Sequence, residues 1–133
     1  MDRFIWGREF KTGIAEMDCE HVMLLSLYNQ LCSVIDTEKE HEALDDIINA
    51  LVTYIKVHFR HEEEMLEKAG YPGLAEHKAA HAALIASVDN IFEDYCESGD
   101  IKVARNLRTL VLSWLAGHIL KEDKAYGQAL LGG

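Results

Sequence analysis

Seven side chains have types and spacings that could do chemistry together. HKAAH at residues 77 to 81 sets His77 and His81 four apart on one helical face, in a stretch where that face is otherwise apolar. His21, His58, Glu62 and His118 interrupt three further apolar stripes in the same way. Imidazole nitrogens and carboxylates are the donors that first-row metal ions accept. A single histidine on a core stripe is ordinarily a hydrogen-bonded core residue, which explains any one of these alone. Five together are not explained so, because each poorly paired buried polar group costs roughly 1 to 3 kcal/mol. Metal coordination removes that cost.

Four helices are needed to bring these residues into one place. The chain has 133 residues and is 49% hydrophobic, enough for one core and too short for two ordinary domains. It has one proline, and apolar residues recur at spacings of three and four. One stripe carries His21, Leu24, Tyr28, Leu31 and Ile35, and the next Leu44, Ile48, Leu51, Ile55, His58 and Glu62. AGYPG at 69 to 73 stops the second helix. The third stripe is Leu74, His77, His81, Leu84, Val88, Ile91 and Tyr95, and the fourth Ala104, Leu107, Val111, Trp114 and His118. Short connections make sequence neighbours antiparallel, so the expected fold is all-α, an up-down-up-down four-helix bundle. The bundle is expected over about 18–122, with an N-terminal arm at 1–17 packed through Trp6 and Phe10 and a C-terminal segment at 123–133.

In that topology His21 opens the first helix, His58 and Glu62 come late in the second, His77 and His81 open the third and His118 comes late in the fourth. All six share one end of the bundle. Asp123 lies five residues beyond His118, about 140° round an ideal α-helix, and reaches the others only from a bulged or terminating turn or from the far side of the cluster. His61 is about 100° from Glu62 around its helix and His41 lies at the opposite end, so both are expected at the surface.

Seven donors are too many for one zinc, and the set lacks the thiolates of a structural zinc site. HKAAH is not the metalloprotease HExxH, since Lys78 stands at the glutamate position. Five histidines, two bridging carboxylates and a bridging oxygen fill all but one position of two octahedral ions. That donor set on a bundle suits iron or manganese, and the open position suits a small ligand such as dioxygen. Ferritin-like oxidases use several glutamates, whereas neutral histidines dominate here, which favours reversible binding over oxidation of a substrate.

Lys and Arg number 13 against 23 Asp and Glu, a formal charge of −10, which excludes nucleic acid and anionic membrane surfaces as partners. The charged start, MDRFIWGREFKTG, and the want of a spanning apolar run lead to an expected soluble, cytoplasmic monomer. Cys19, Cys32 and Cys96 form neither a CxxC motif nor a disulfide framework and are expected to be packed or surface thiols.

The ordered series of Trp6, TGIAEMDCEH, HFRHEEEML, GYP, HKAAH and WLAGHILKEDKAYG closely resembles the hemerythrins, in particular single-domain bacteriohemerythrins, nearly end to end. The resemblance implies two non-haem irons per chain joined by an oxo or hydroxo bridge. His77, His81 and His118 would hold one, His21 and His58 the other, with Glu62 and Asp123 bridging, so that the open position belongs to the two-histidine iron. It implies an apolar dioxygen pocket from Phe59, Trp114, Leu115 and Ile119, with Leu24 or Leu25 from the first helix. Bacterial members often carry glutamine where this chain has Glu20, a departure that leaves ligation intact but alters local charge.

The function so implied is reversible dioxygen binding for transport, storage or delivery to an oxygen-consuming enzyme, with no catalytic residue. The rival classes are an oxygen or redox sensor and an enzyme of the diiron peroxidase or nitric oxide-reducing kind.

Overall fold

The computed structural model describes residues 7–37 and 41–131. The expected packing of Trp6 and the expected surface position of the His41 side chain lie outside the described residues. After a 3-10 turn at Arg8–Phe10 come four long helices, α1 (Ala15–Thr37), α2 (His41–Lys68), α3 (Leu74–Ser98) and α4 (Ile101–His118). A π-helical turn, Ile119–Asp123, then leads into a short helix, α5 (Lys124–Leu130).

Each long helix packs against its neighbours in sequence, and α4 closes the ring against α1. The direction of the helices follows from contacts between them. Early α3 meets late α2 where His77 approaches Glu62, and late α3 meets early α2 where the Tyr95 hydroxyl donates to Asp45 at 2.6 Å. Early α1 likewise meets late α2 at Glu20 and His58, and early α3 meets late α4 at His81 and His118. The bundle is therefore up-down-up-down, as the stripes require.

Local chemistry sets the helix ends. AGYPG terminates α2 with a Schellman motif, in which the Gly70 N–H donates to the Glu67 carbonyl and the Tyr71 N–H to that of Leu66. Gly70 supplies the left-handed φ of 67°, and Tyr71 packs against the apolar cluster that contains Leu66. Between α3 and α4, Asp100 caps the new helix by accepting from the Lys102 N–H at 2.9 Å.

At the other end of the chain, α1 starts at Ala15, inside the stretch assigned to the arm. The Asp18 carboxylate accepts from the Thr12 N–H at 2.7 Å, the Thr12 hydroxyl at 2.9 Å and the Gly13 N–H at 3.2 Å. These bonds turn the chain into the helix, and Met17 is already buried.

The stripes are the core. Every stripe residue of α1 and α2 is buried, and so are His77, His81, Leu84, Val88 and Tyr95 of α3. On α4 the stripe shifts by one at its end, where Leu115 rather than Trp114 is fully buried. Two apolar clusters result. The large one fills the bundle from Ile35 and Leu44 up to Phe59, Leu115 and Ile119 and includes Phe10, the expected anchor of the arm. A small one, Met17, Leu66 and Tyr126 with Ile14, Tyr71, Leu74 and Leu130 around them, lies beyond the histidines at the end of the bundle.

The small cluster depends on a close backbone approach. A Cβ at Gly127 would stand 2.2 Å from the Thr12 carbonyl oxygen and 2.9 Å from its carbon. Only glycine lets α5 lie against the arm there. Gly127→Ala is expected to destabilise the protein by about 1 to 3 kcal/mol. Urea unfolding would show this as a lower midpoint, and an unchanged midpoint would contradict the contact.

Candidate metal centre

One turn of each long helix contributes to a polar layer between the two apolar clusters. His21 comes from α1, His58 and Glu62 from α2, His77 and His81 from α3, and His118 from α4, and all are buried. Asp123 joins them, 1% exposed. It does so through the π turn, whose wider i→i+5 repeat brings Asp123 back toward His118, five residues before it. Asp123 Oδ1 stands 2.9 Å from His118 Nε2. The bulged last turn, one of the routes the sequence left open for Asp123, is the one taken.

The seven donors divide into two groups that share Glu62. One is Glu62, His77, His81 and His118, and the other is His21, His58, Glu62 and Asp123. The carboxylate oxygens divide the same way. Glu62 Oε1 contacts His77 and lies 3.1 Å from His81, while Oε2 lies 3.4 Å from His21 and 3.2 Å from His58. Asp123 Oδ1 faces His77 and His118, and its Oδ2 lies 3.0 Å from His21. Each carboxylate thus spans the two groups.

Outer hydrogen bonds orient two of the rings. His58 Nδ1 is 2.7 Å from Glu20 Oε1 and His81 Nδ1 is 2.9 Å from Glu63 Oε2. An ionised carboxylate only accepts, so these Nδ1 atoms carry the protons. In the neutral rings, Nε2 then presents a lone pair to the cluster. His81 Nε2 lies 3.2 Å from His118 Nε2, and His58 Nε2 lies 3.2 Å from Glu62 Oε2. Lone pairs at that separation repel unless a proton or a cation lies between them. The donor set therefore fits metal ions, and the imidazole and carboxylate mix suits iron or manganese better than a structural zinc.

Aromatic stacking holds His81 and His118 from the apolar side. Phe59 stacks on His81 with centroids 3.7 Å apart, and Trp114 on His118 at 4.0 Å. Phe59 also lies 5.8 Å from the His58 ring. Trp114 thus flanks the three-histidine group. Leu24, Leu25, Leu115 and Ile119 are buried in the cluster that Phe59 belongs to.

Sequence reasoning overlooked Glu63 and Tyr126. Glu63 is one of three consecutive glutamates, and nothing in the series marks the one that meets a histidine of another helix. Tyr126 donates its hydroxyl to Glu62 Oε2 at 3.0 Å and is fully buried. Its helical phase is unreadable without the π turn that precedes it. His61 is partly exposed, as expected at the surface, yet it also bonds Glu20, at 3.0 Å.

With only protons to neutralise them, the carboxylates reshape the titration of the layer. Burial works against charge on His21 and His77, but hydrogen bonds to Asp123 and Glu62 outweigh it, raising His21 to about 9 and His77 to about 10. His58 and His118 move up likewise, His58 through Glu20 and Glu62, His118 through Asp123 and Glu62. Burial also opposes ionisation of Glu62 and Asp123, and the histidine hydrogen bonds win again and hold both below their usual values. Burial likewise raises the Tyr126 phenol, and the nearby Glu62 and Asp123 raise it further, so it remains a donor.

Raised histidines stabilise the fold fully below pH 6.5, their unperturbed value, and lose that contribution as pH rises through about 9 to 10. Lowered carboxylates stabilise it above their unperturbed 4.5 and 3.8 and lose that as pH falls. The metal-free protein is therefore expected to be most stable between pH 4.5 and 6.5 and to weaken toward pH 10. Denaturant midpoints against pH would show it. A metal-loaded sample should lose the alkaline decline, because bound nitrogens have no proton to give up.

Comparison with known proteins bears on the same segments. The chain matches the model of the hemerythrin HHE cation binding domain over residues 12–130. Bacteriohemerythrin of Stenotrophomonas maltophilia is 33% identical over 126 residues, 95% of this chain and 80% of that protein. Bacteriohemerythrin of Clostridium acetobutylicum is 30% identical over 126 residues, 92% of this chain and 98% of the other. Among solved structures, wild-type hemerythrin is similar with a TM-score of 0.86 at 29% identity, over 97% of this chain and 98% of that one. The matched region runs from Thr12, which meets Gly127, to the last turn of α5, and so includes the polar layer and the segment closing over it. From TGIAEMDCEH to the end of α5, the chain belongs to the hemerythrin family.

Proposed function

We propose that this chain binds dioxygen reversibly at a non-haem diiron centre, as a carrier or store that can deliver the gas to an oxygen-consuming enzyme. His77, His81 and His118 would hold one iron and His21 and His58 the other, with Glu62 and Asp123 shared between the two groups. The observation that carries this reading is the division of both carboxylates, one oxygen toward each histidine group. The family model's description as a cation binding domain and the bacteriohemerythrin relatives support it.

Iron in both groups would supply the electrons for reversible dioxygen binding. The chain's own part is to hold, orient and shield. Five neutral imidazoles against two bridging carboxylates keep the anionic donors few, which favours binding over oxidation of a substrate. Leu24, Leu25, Phe59, Leu115, Ile119 and Trp114 form the apolar pocket that excludes water and anions. Tyr126 fixes Glu62 from the far side. Among the described residues no helix is long and apolar enough to cross a membrane. The reading adds a cytoplasmic monomer, supported by the free thiols of Cys19, Cys32 and Cys96 and by the acidic composition.

The test is a cycle of anaerobic reduction, exposure to dioxygen and its removal, followed by the absorption of the iron-loaded protein. Two irons per chain and repeated return to the reduced spectrum are expected. One metal per chain would contradict the diiron centre. Immediate irreversible oxidation would contradict the carrier and favour an enzyme or a redox sensor.

Leu115 is 1% exposed and follows Trp114 on α4. Leu115→Ala opens the pocket wall to water and anions, so the variant should keep two irons yet autoxidise severalfold faster than the parent at one temperature and pH. Equal rates at equal iron content would remove Leu115 from the pocket.

A further inference from the structure

Two carboxylates stand just outside the donor layer, one behind each histidine group. Glu20 Oε1 lies 2.7 Å from His58 Nδ1, and its other oxygen lies 3.0 Å from His61 Nδ1. Glu63 Oε2 lies 2.9 Å from His81 Nδ1. His58 belongs to the two-histidine group and His81 to the three-histidine group. Both side chains are largely covered, Glu20 at 15% exposed and Glu63 at 27%. The histidines they hold are 1% exposed.

The arrangement is more than packing requires. A backbone carbonyl or a neutral amide would satisfy a buried Nδ1–H equally well. A carboxylate adds a negative charge one ring away from the point where Nε2 meets a metal, in surroundings far less polar than water. It also pulls on the Nδ1 proton and makes Nε2 a stronger donor. Both effects favour the more positive metal. Oxidation of each ferrous ion adds one positive charge, and one outer carboxylate stands behind each group to meet it.

We propose that Glu20 and Glu63 are a matched pair of positioning residues that set the reduction potential of the two metals, Glu20 through His58 and Glu63 through His81. The inference rests on the diiron reading above and deepens it. Together they lower the potential and bias the centre toward its oxidised form, while their hydrogen bonds fix the tautomer that points each Nε2 inward. His61 holds the second oxygen of Glu20, so Glu20 is clamped between an inner and an outer imidazole.

Glu20→Gln and Glu63→Gln separate charge from hydrogen bonding, since the amide oxygen still accepts from Nδ1–H. Parent, single variants and double variant would be loaded with iron, checked for two irons per chain and titrated with redox mediators under anaerobic conditions. A parallel cobalt(II) titration of the metal-free proteins would report donor strength without any oxygen chemistry. Each single variant is expected to keep two irons and to raise the potential by at least about tenfold in the oxidation equilibrium, 59 mV for a one-electron couple. The double variant should shift further, and cobalt(II) should bind more weakly by about 10-fold or more. Shifts below about twofold in every variant, with iron content and cobalt affinity unchanged, would overturn the proposal and leave the diiron reading standing. A parent that holds fewer than two irons would overturn both. Should Glu20→Gln fold poorly, Glu63→Gln with the same readouts decides the proposal.

Discussion

Glu62 and Asp123 are acidic groups with almost no contact with water, and the bundle is arranged around that fact. An isolated carboxylate at such a depth would be far too costly to keep ionised. Each is kept ionised by the imidazoles that surround it, and three of those imidazoles are in turn held by something else. Outer carboxylates hold His58 and His81, and aromatic faces hold His81 and His118. Removing any one partner leaves a buried polar group unpaired, a more serious loss than the absence of one hydrogen bond.

The placement of this layer follows from the same constraint. A polar layer exposed at the end of the bundle would be solvated and would not exclude water from bound metals. The chain instead seals it on both sides, with the main core toward Leu44 and Tyr95 and a second cluster of Met17, Leu66 and Tyr126 outside it. Building that outer seal takes the arm, the Asp18 turn and α5, which explains why the backbone at Gly127 lies so close to Thr12.

Much of this was legible in the sequence, for physical reasons. Stripe residues such as Leu24, Ile48, Leu84 and Leu107 obey the helical period, so a histidine on the stripe had to be buried. The antiparallel order then placed His21, His58, His77, His81 and His118 at one level. Two features escaped because they depend on contacts across the fold. The meeting of Glu63 with His81 joins α2 to α3, and no spacing along the chain announces it. Tyr126 follows a change of helical phase at Ile119–Asp123, and phase is what stripe reading assumes to be constant. Trp114, taken for a core residue, yields that place to Leu115 and instead covers the His118 ring.

The short α5 has a consequence for how the interior communicates with solvent. A helix of seven residues does not persist on its own in water. It exists here because Tyr126 is anchored on Glu62 and Gly127 on the Thr12 backbone. Such a segment opens locally at a fraction of the free energy needed to unfold α1 to α4. The closure over the polar layer is thus expected to open more readily than the four long helices. Such an opening would let small solutes and metal ions reach the interior without unfolding of the four long helices.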